Sequence, residues 1–410
     1  MKNPNPSSRR GFLRRSAFGS LAGLFPFTSS STSAAIPQST NHVQRYVQLG
    51  RTGFQISDIT FGTSRLRRGQ EKLVHHALDR GVNYFDTAES YTRGASETVL
   101  GRALGGERDK VFIASKTHVS ANESRQSIMA KLEASLKRLD THYIDVYFNH
   151  AVNQVDRLEN PEWPEFVDRA KQQGKIRFVG MSGHAGNLIE CLDHALDADN
   201  VDVLLVAYNF GQDPEFYQRF TRSFDLIAKH PDLPRVLAKA KTRNVGVVTM
   251  KTLMGARLND MRPYEKDGAS FAQAAFRWVL SNPNVDAVTI SMTSPERIDE
   301  YLGASGGYEV SQREFELLKT YAHLNGASYC RHACNDCEGA CPYGVPIADV
   351  LRTRMYATDY QDVPFARSEY ALLGDAAAAC LSCSGQPCQG ACTHGLPIEQ
   401  LCEPTHRMLA

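Results

Sequence analysis

Nine of the ten cysteines fall after residue 329, and eight of them form a pattern that repeats. Cys330, Cys334, Cys337 and Cys341 are followed by Cys380, Cys383, Cys388 and Cys392. The repeat extends beyond sulfur: Cys341-Pro-Tyr-Gly344-Val-Pro346-Ile347 returns 51 positions on as Cys392-Thr-His-Gly395-Leu-Pro397-Ile398. A C-x3-C-x2-C-x3-C-P half, echoed with four residues between Cys383 and Cys388 and with Thr393 in place of the proline, resembles the donor pattern of a protein holding two [4Fe–4S] clusters. Tetrahedral zinc is the second reading, because paired cysteines two to four residues apart also suit Zn–S sites. Disulfides are the third. Cys402 is left over, and Cys191 reads as a small core residue.

A second group of reactive side chains lies upstream. Asp86 closes one apolar run, and Tyr91 follows five residues later. Lys116 closes the next run and His150 the one after. A phenol ordinarily titrates near about 10, too high for easy proton exchange at neutral pH. A neighbouring ammonium such as Lys116 favours the phenolate and lowers that value. Asp86 would keep Lys116 charged and oriented, and His150 can hydrogen-bond a carbonyl oxygen. Taken singly, these residues also read as a turn cap, a solvated rim charge and a core histidine.

The elements that must position them alternate strand and helix from residue 46 to 305. Apolar runs end at Phe61, Phe85, Ser115, Tyr147, Val179, Val206, Met250 and Ile290. Between them, Ile128, Leu132, Leu136 and Leu139 recur at helical spacing, as do Val99, Leu100, Ala103 and Leu104. Eight such units predict an α/β fold, a (β/α)8 TIM barrel, with the reactive residues at the C-terminal rim where that fold builds active sites. A doubly wound sheet is the alternative, but no G-x-G-x-x-G opens a first turn. Residues 306–329 predict a connecting helix with Phe315, Leu318 and Ala322 on one face. Residues 330–410 then form a mainly helical, ferredoxin-like iron–sulfur domain. Cysteines spaced four, three and four on one continuous helix would spread over about 16 Å, too far for one compact cluster. The chain must curl there, or Cys341 must serve the other cluster.

Hydrophobic content of 42% and charged content of 22% are those of an ordinary globular protein. The net charge of +1 includes Lys2, Arg9, Arg10, Arg14 and Arg15, so the remainder is net −4. No basic stripe points to nucleic acid. Ser8-Arg9-Arg10-Gly-Phe-Leu-Arg14, a weakly apolar run from Ser16 to Phe27 and small residues to Ala35 read as a twin-arginine signal peptide over residues 1–35. The apolar run is too short to span a bilayer stably. Export to the periplasm by that route, in an already folded state, is compatible with cysteines committed to iron before transport.

From residue 46 to 305 the chain resembles an aldo-keto reductase. Leu49-Gly-Arg-Thr-Gly-Phe-Gln-Ile-Ser57 resembles that family's N-terminal hairpin, and Asp86, Tyr91, Lys116 and His150 match its catalytic tetrad in order and spacing. The resemblance implies hydride transfer between NAD(P)H and a small carbonyl or alcohol substrate, a sugar among the candidates, with Tyr91 as general acid or base. It carries cofactor contacts to Ser182, Asn209, Lys251, Arg297 and Glu300. Gly183 stands where an asparagine is common, Leu205 where a glutamine is usual, and Lys251 in the place of a stacking aromatic. With its cysteines the whole chain resembles exported aldo-keto reductases fused to a ferredoxin-like domain. By analogy with two-cluster ferredoxins, Cys330, Cys334, Cys337 and Cys392 bind one cluster, and Cys380, Cys383, Cys388 and Cys341 the other. An electron-transfer protein using the barrel to dock a redox partner is the alternative, and a carbonyl-binding protein without turnover a third.

Overall fold

Short, fully buried runs such as Val203–Ala207 become strands covered on both faces, which is why they read as unbroken apolar stretches rather than alternating ones. The computed structural model describes residues 41–184, 187–211, 230, 232–253, 261–266, 268–325, 330, 334, 336–358 and 362–410. The signal expected over residues 1–35 lies outside them. The described residues all fall in one unit, Ser39–Ala410.

Strands β1 (Tyr46–Gln48) and β2 (Gln55–Ser57) form an antiparallel hairpin with Val47 opposite Ile56. Gly50 in its turn has φ +45°, and a Cβ there would come within 2.2 Å of the Gly246 nitrogen. The hairpin thus sits against the start of a barrel strand as only glycine allows. Its Leu49 and Ile56 join Tyr84, Val146, Phe148 and Val248 in an interior cluster.

The barrel strands are β3 (Ile59–Gly62), β4 (Tyr84–Asp86), β5 (Phe112–Thr117), β6 (Ile144–Asn149), β7 (Ile176–Gly183), β8 (Val203–Ala207), β9 (Gly246–Met250) and β10 (Ala287–Ser291). They close in that order, all parallel, with β10 returning to β3. Between and after them run α1 (Glu71–Asp79), α2 (Ala95–Leu104), α3 (Arg125–Leu139), α4 (Glu162–Gln172), α5 (Leu188–Asp197), α6 (Leu233–Thr242), α7 (Phe271–Leu280) and α8 (Pro295–Leu302). Helix α3 shows why the pattern works. Ser124 caps it by accepting the Ser127 N–H, Asp140 ends it in the left-handed region, and Ile128, Leu132, Leu136 and Leu139 are buried.

Helix α9 (Gln312–Asn325) follows, with Leu318 and Ala322 buried against the barrel's outer core. The C-terminal module is mainly helical: α10 (Ile347–Thr358), α11 (Val363–Tyr370), α12 (Pro387–Ala391) and α13 (Ile398–Leu409). Its sequence repeat is a structural repeat. Gly344 and Gly395 share φ +62°. Each donates its N–H to the cysteine three residues back, Cys341 O at 3.2 Å and Cys392 O at 3.0 Å. Each turn then leads into a helix, beginning at Ile347 and at Ile398. The stretch from Asp336 to Cys341 is turn rather than helix, so the cysteines do not lie on one stripe.

The module meets the barrel at its C-terminal rim. Arg65, in the loop after β3, donates to Asp362 at 2.8 Å, and Arg67 pairs with the same carboxylate. Asp362 also caps α11 by accepting the Phe365 N–H. No helix among the described residues is long and apolar enough to cross a membrane.

Candidate active site

The strands bring Asp86, Tyr91, Lys116 and His150 to one cavity of about 340 Å³. Asp86 ends β4, Lys116 lies one residue before the end of β5, and His150 directly follows β6. Lys116 Nζ donates to both Asp86 oxygens, at 2.7 and 2.8 Å, and to Thr87 O at 2.6 Å. All three of its N–H groups are thereby used. The same nitrogen lies 4.8 Å from the Tyr91 ring centre, and the His150 ring stands edge-on to Tyr91 at 5.8 Å.

The titration of Tyr91 is shifted the opposite way from the expectation. Burial, then Asp86, Tyr356 and Glu369, push the phenol well above its ordinary value, and Arg352 opposes them. The Lys116 charge, compensated by Asp86 at 2.7 Å, does not offset that rise. Burial lowers Lys116 and raises Asp86, while each holds the other toward the charged form. His150 is pushed well below its usual range by burial and then by Lys116, so its ring is neutral at pH 7.

The frame around these groups was not anticipated from sequence. Arg157, 5% exposed, donates to the backbone oxygens of Val119 at 2.7 Å, His150 at 2.8 Å and Ala151 at 2.6 Å. It fixes the turn that carries His150. Ala151 there has φ +50° and donates its N–H to Ser182 Oγ at 2.9 Å. Thr92 and Arg93, directly after Tyr91, are also left-handed, as is Lys251. Non-glycine residues held in this region cost on the order of 1–3 kcal/mol each and gather at functional sites.

The residues expected to contact a cofactor divide into two groups. Ser182 and Lys251 line the cavity. Asn209 is engaged with backbone, donating to Lys251 O at 3.2 Å and accepting from Gly211 N at 2.9 Å. Arg297 and Glu300 pair with each other on α8, away from the cavity lining. Leu205 belongs to the interior cluster.

The roof of the cavity comes from the C-terminal module. Arg352, Met355 and Tyr356 of α10 and Phe365 and Glu369 of α11 face the tetrad across it. The opposite face of α10, with Ile347 and Leu351, lines a second, smaller cavity. Cys330, Cys334, Cys337 and Cys392 surround that one, and Cys341, Cys380, Cys383 and Cys388 surround a third. Ile347 and Ile398 touch both. None of the ten cysteines is joined in a disulfide, and Cys402 is buried in the module's core. Among the described residues, no three His, Cys, Asp or Glu side chains close on a single point as ligands of one ion would.

An eight-stranded parallel barrel with an acid, a phenol, an amine and an imidazole on its C-terminal rim defines a class of barrel oxidoreductases. The aldo/keto reductase family model matches residues 58–322, and the chain belongs to that family. It is 26% identical to the aldo-keto reductase YhdN of Bacillus subtilis over 319 residues, covering 67% of this chain and 92% of that protein. It is 23% identical over 331 residues to the L-glyceraldehyde 3-phosphate reductase of Escherichia coli, covering 67% and 91%. A solved structure, an aldo-keto reductase from Pseudomonas aeruginosa described as putative, superposes with a TM-score of 0.51 at 26% identity, covering 66% of this chain and 97% of that one. The holo form of an aldo-keto reductase from Bacillus halodurans shares the fold with a TM-score of 0.53 at 21% identity, covering 68% and 96%. The protein is an oxidoreductase enzyme. The matched family segment ends before the cysteine module.

Proposed function

We propose that this chain interconverts a small carbonyl compound and its alcohol by hydride transfer with NAD(P)H, with Tyr91 giving or taking the proton. The observation that carries the reading is the convergence of Tyr91, Lys116, Asp86 and His150 on one cavity. Ser182, with the apolar Met250 and Ile290 beside it, would hold the nicotinamide end. When bound, NAD(P)H supplies the hydride. Burial keeps the Tyr91 hydroxyl protonated, which suits a general acid for carbonyl reduction. As the proton leaves, the Lys116 ammonium beneath the ring stabilises the phenolate that forms. Neutral His150 orients the carbonyl oxygen, and Arg157 holds His150 in place.

The cysteine module is proposed to hold two [4Fe–4S] clusters, one in each thiol-lined cavity. The donor set supports this: four cysteines per cavity, none in a disulfide, drawn from both halves of the repeat, with apolar side chains between them. Each cluster would supply one-electron chemistry. A hydride carries two electrons, so the clusters are not direct acceptors from NAD(P)H and either hold the module together or serve a redox partner protein. The twin-arginine segment supports export to the periplasm after loading.

The test is anaerobic purification followed by iron and sulfide assay and by NADH and NADPH titration. About eight iron and eight sulfide per chain are expected, with saturable nicotinamide binding. Stoichiometric zinc without sulfide would remove the cluster reading, and no binding of either nucleotide at millimolar concentration would remove the hydride reading. Changing Arg9 and Arg10 to Lys should retain the protein, clusters intact, in the cytoplasm; unchanged export would remove the signal.

A further inference from the structure

Two cationic side chains, Arg352 and Lys251, line the cavity. Arg352 Nε is buried and donates to no partner, and its ion pair among the described residues is Nη2 to Asp349 at 3.1 Å. Asp349 is itself 44% exposed, so that pair lies toward solvent. The Lys251 amine makes no hydrogen bond or ion pair among the described residues. Its backbone is held left-handed, with Asn209 bonded to its carbonyl oxygen. Burial first and Arg352 second push this amine down to about 7. Arg352 also depresses His150 and His184, which places its charge near the reacting end of the cavity. Glu369 shares the cavity but makes no hydrogen bond with Arg352, and burial lifts its carboxyl above the usual range, weakening it as a counter-ion. Two like charges lining one cavity repel unless an anion lies between them.

We propose that Arg352 and Lys251 form an anion subsite for the substrate's carboxylate, which makes the substrate an oxo acid: an aldehyde or ketone that also carries a carboxylate. The proposal rests on the hydride-transfer reading above and deepens it. Arginine's planar fork suits a carboxylate, and here the cysteine module delivers it, so the module takes part in choosing the substrate. The cofactor's phosphates are the other source of an oxyanion. Loops after the seventh and eighth barrel strands commonly hold phosphate, and Lys251 follows the seventh. Arg352, on the roof and close enough to act on Tyr91, favours the substrate.

The experiment uses the full holoprotein and Arg352→Met, with Arg352→Lys and Lys251→Met as further variants. Succinate and butyramide are first titrated calorimetrically, with no nucleotide present. Succinate should bind the wild type and bind Arg352→Met on the order of 10- to 100-fold more weakly. Butyramide should not bind, and Arg352→Lys should fall between. Turnover of succinate semialdehyde is then compared with that of butanal. The ratio of the two kcat/KM values should fall by the same order in Arg352→Met. Equal succinate affinity in wild type and variants overturns the proposal. A rise in NADPH Kd in Arg352→Met, with the aldehyde ratio unchanged, assigns the anion to the cofactor and also overturns it. If neither aldehyde is reduced, the hydride reading fails, while the succinate titration still decides the subsite.

Discussion

Replacing Asp86 with Asn leaves Lys116, 1% exposed, without its counter-charge, and the cost can be worked from the contacts. The ammonium lies 2.7 and 2.8 Å from the two carboxylate oxygens. At an effective dielectric constant of about 20, that attraction is roughly 6 kcal/mol. The variant need not lose all of it, because Lys116 can shed its proton. Doing so at pH 7 costs about 4–5 kcal/mol against an unfolded lysine that titrates near 10.4. The Asn carbonyl and Thr87 O still accept hydrogen bonds, so Asp86→Asn should destabilise by about 3–5 kcal/mol at pH 7. The sign with pH follows. The variant's folded lysine titrates below its unfolded value, so the unfolded state binds more protons and stability rises with pH up to about 10.4. The deficit should shrink by about 1.4 kcal/mol per unit, to roughly 2 kcal/mol at pH 9. The assay is urea unfolding followed by tryptophan fluorescence, since the two tryptophans, Trp163 and Trp278, are both buried in the barrel. A deficit below about 1 kcal/mol, or one that stays constant from pH 7 to 9, would refute a buried, charged pair.

Tyr91→Phe should lower the hydride-transfer rate by roughly 10²–10⁴-fold in single-turnover measurements while NADPH still binds; a loss under tenfold would mean another group gives the proton. Lys251, pushed down to about 7 by burial and Arg352, gives wild-type stability that rises with pH from there toward the unfolded value. Melting temperatures of Lys251→Met at pH 6, 7 and 9 should show a flatter profile than the wild type, and parallel profiles would place the amine in solvent. Asp362→Asn removes the carboxylate shared by Arg65 and Arg67 and weakens the cap of α11, worth about 2–3 kcal/mol together. Amide exchange should quicken over Val363–Tyr370 while β3–β10 stay protected, and equal quickening in both would show that the roof does not open separately.

The barrel was legible because strands buried on both faces leave unbroken apolar runs, and the run ends fall within a few residues of the observed strand ends. The tetrad was legible for the same reason: a charged residue that stops an apolar run in this fold sits on the rim. The division of cysteines between two cavities follows the split that the analogy with two-cluster ferredoxins implied, while their spacing alone left it open. The roof was not legible. The spacing of Arg352, Met355 and Tyr356 says that α10 has a second face, not that this face looks onto a barrel 260 residues upstream in sequence. The direction of the Tyr91 shift was misread in part for that reason: behind burial and Asp86, the groups that raise it are Tyr356 and Glu369 of the same roof. Arg157 left no motif, being a lone arginine in a loop whose value lies in three backbone carbonyls.

Helix α10 answers to two neighbours at once, with Leu351 turned to one thiol-lined cavity and Arg352, one residue on, turned to the catalytic one. A chain built this way cannot mature its parts independently. Whatever seats that helix correctly on its cysteine side also finishes the wall of the reaction chamber. On the proposed cluster loading, an apoprotein would keep its barrel and its four reactive groups and yet present an unfinished chamber to substrate. Catalytic competence would then report that the other half of the molecule has been completed.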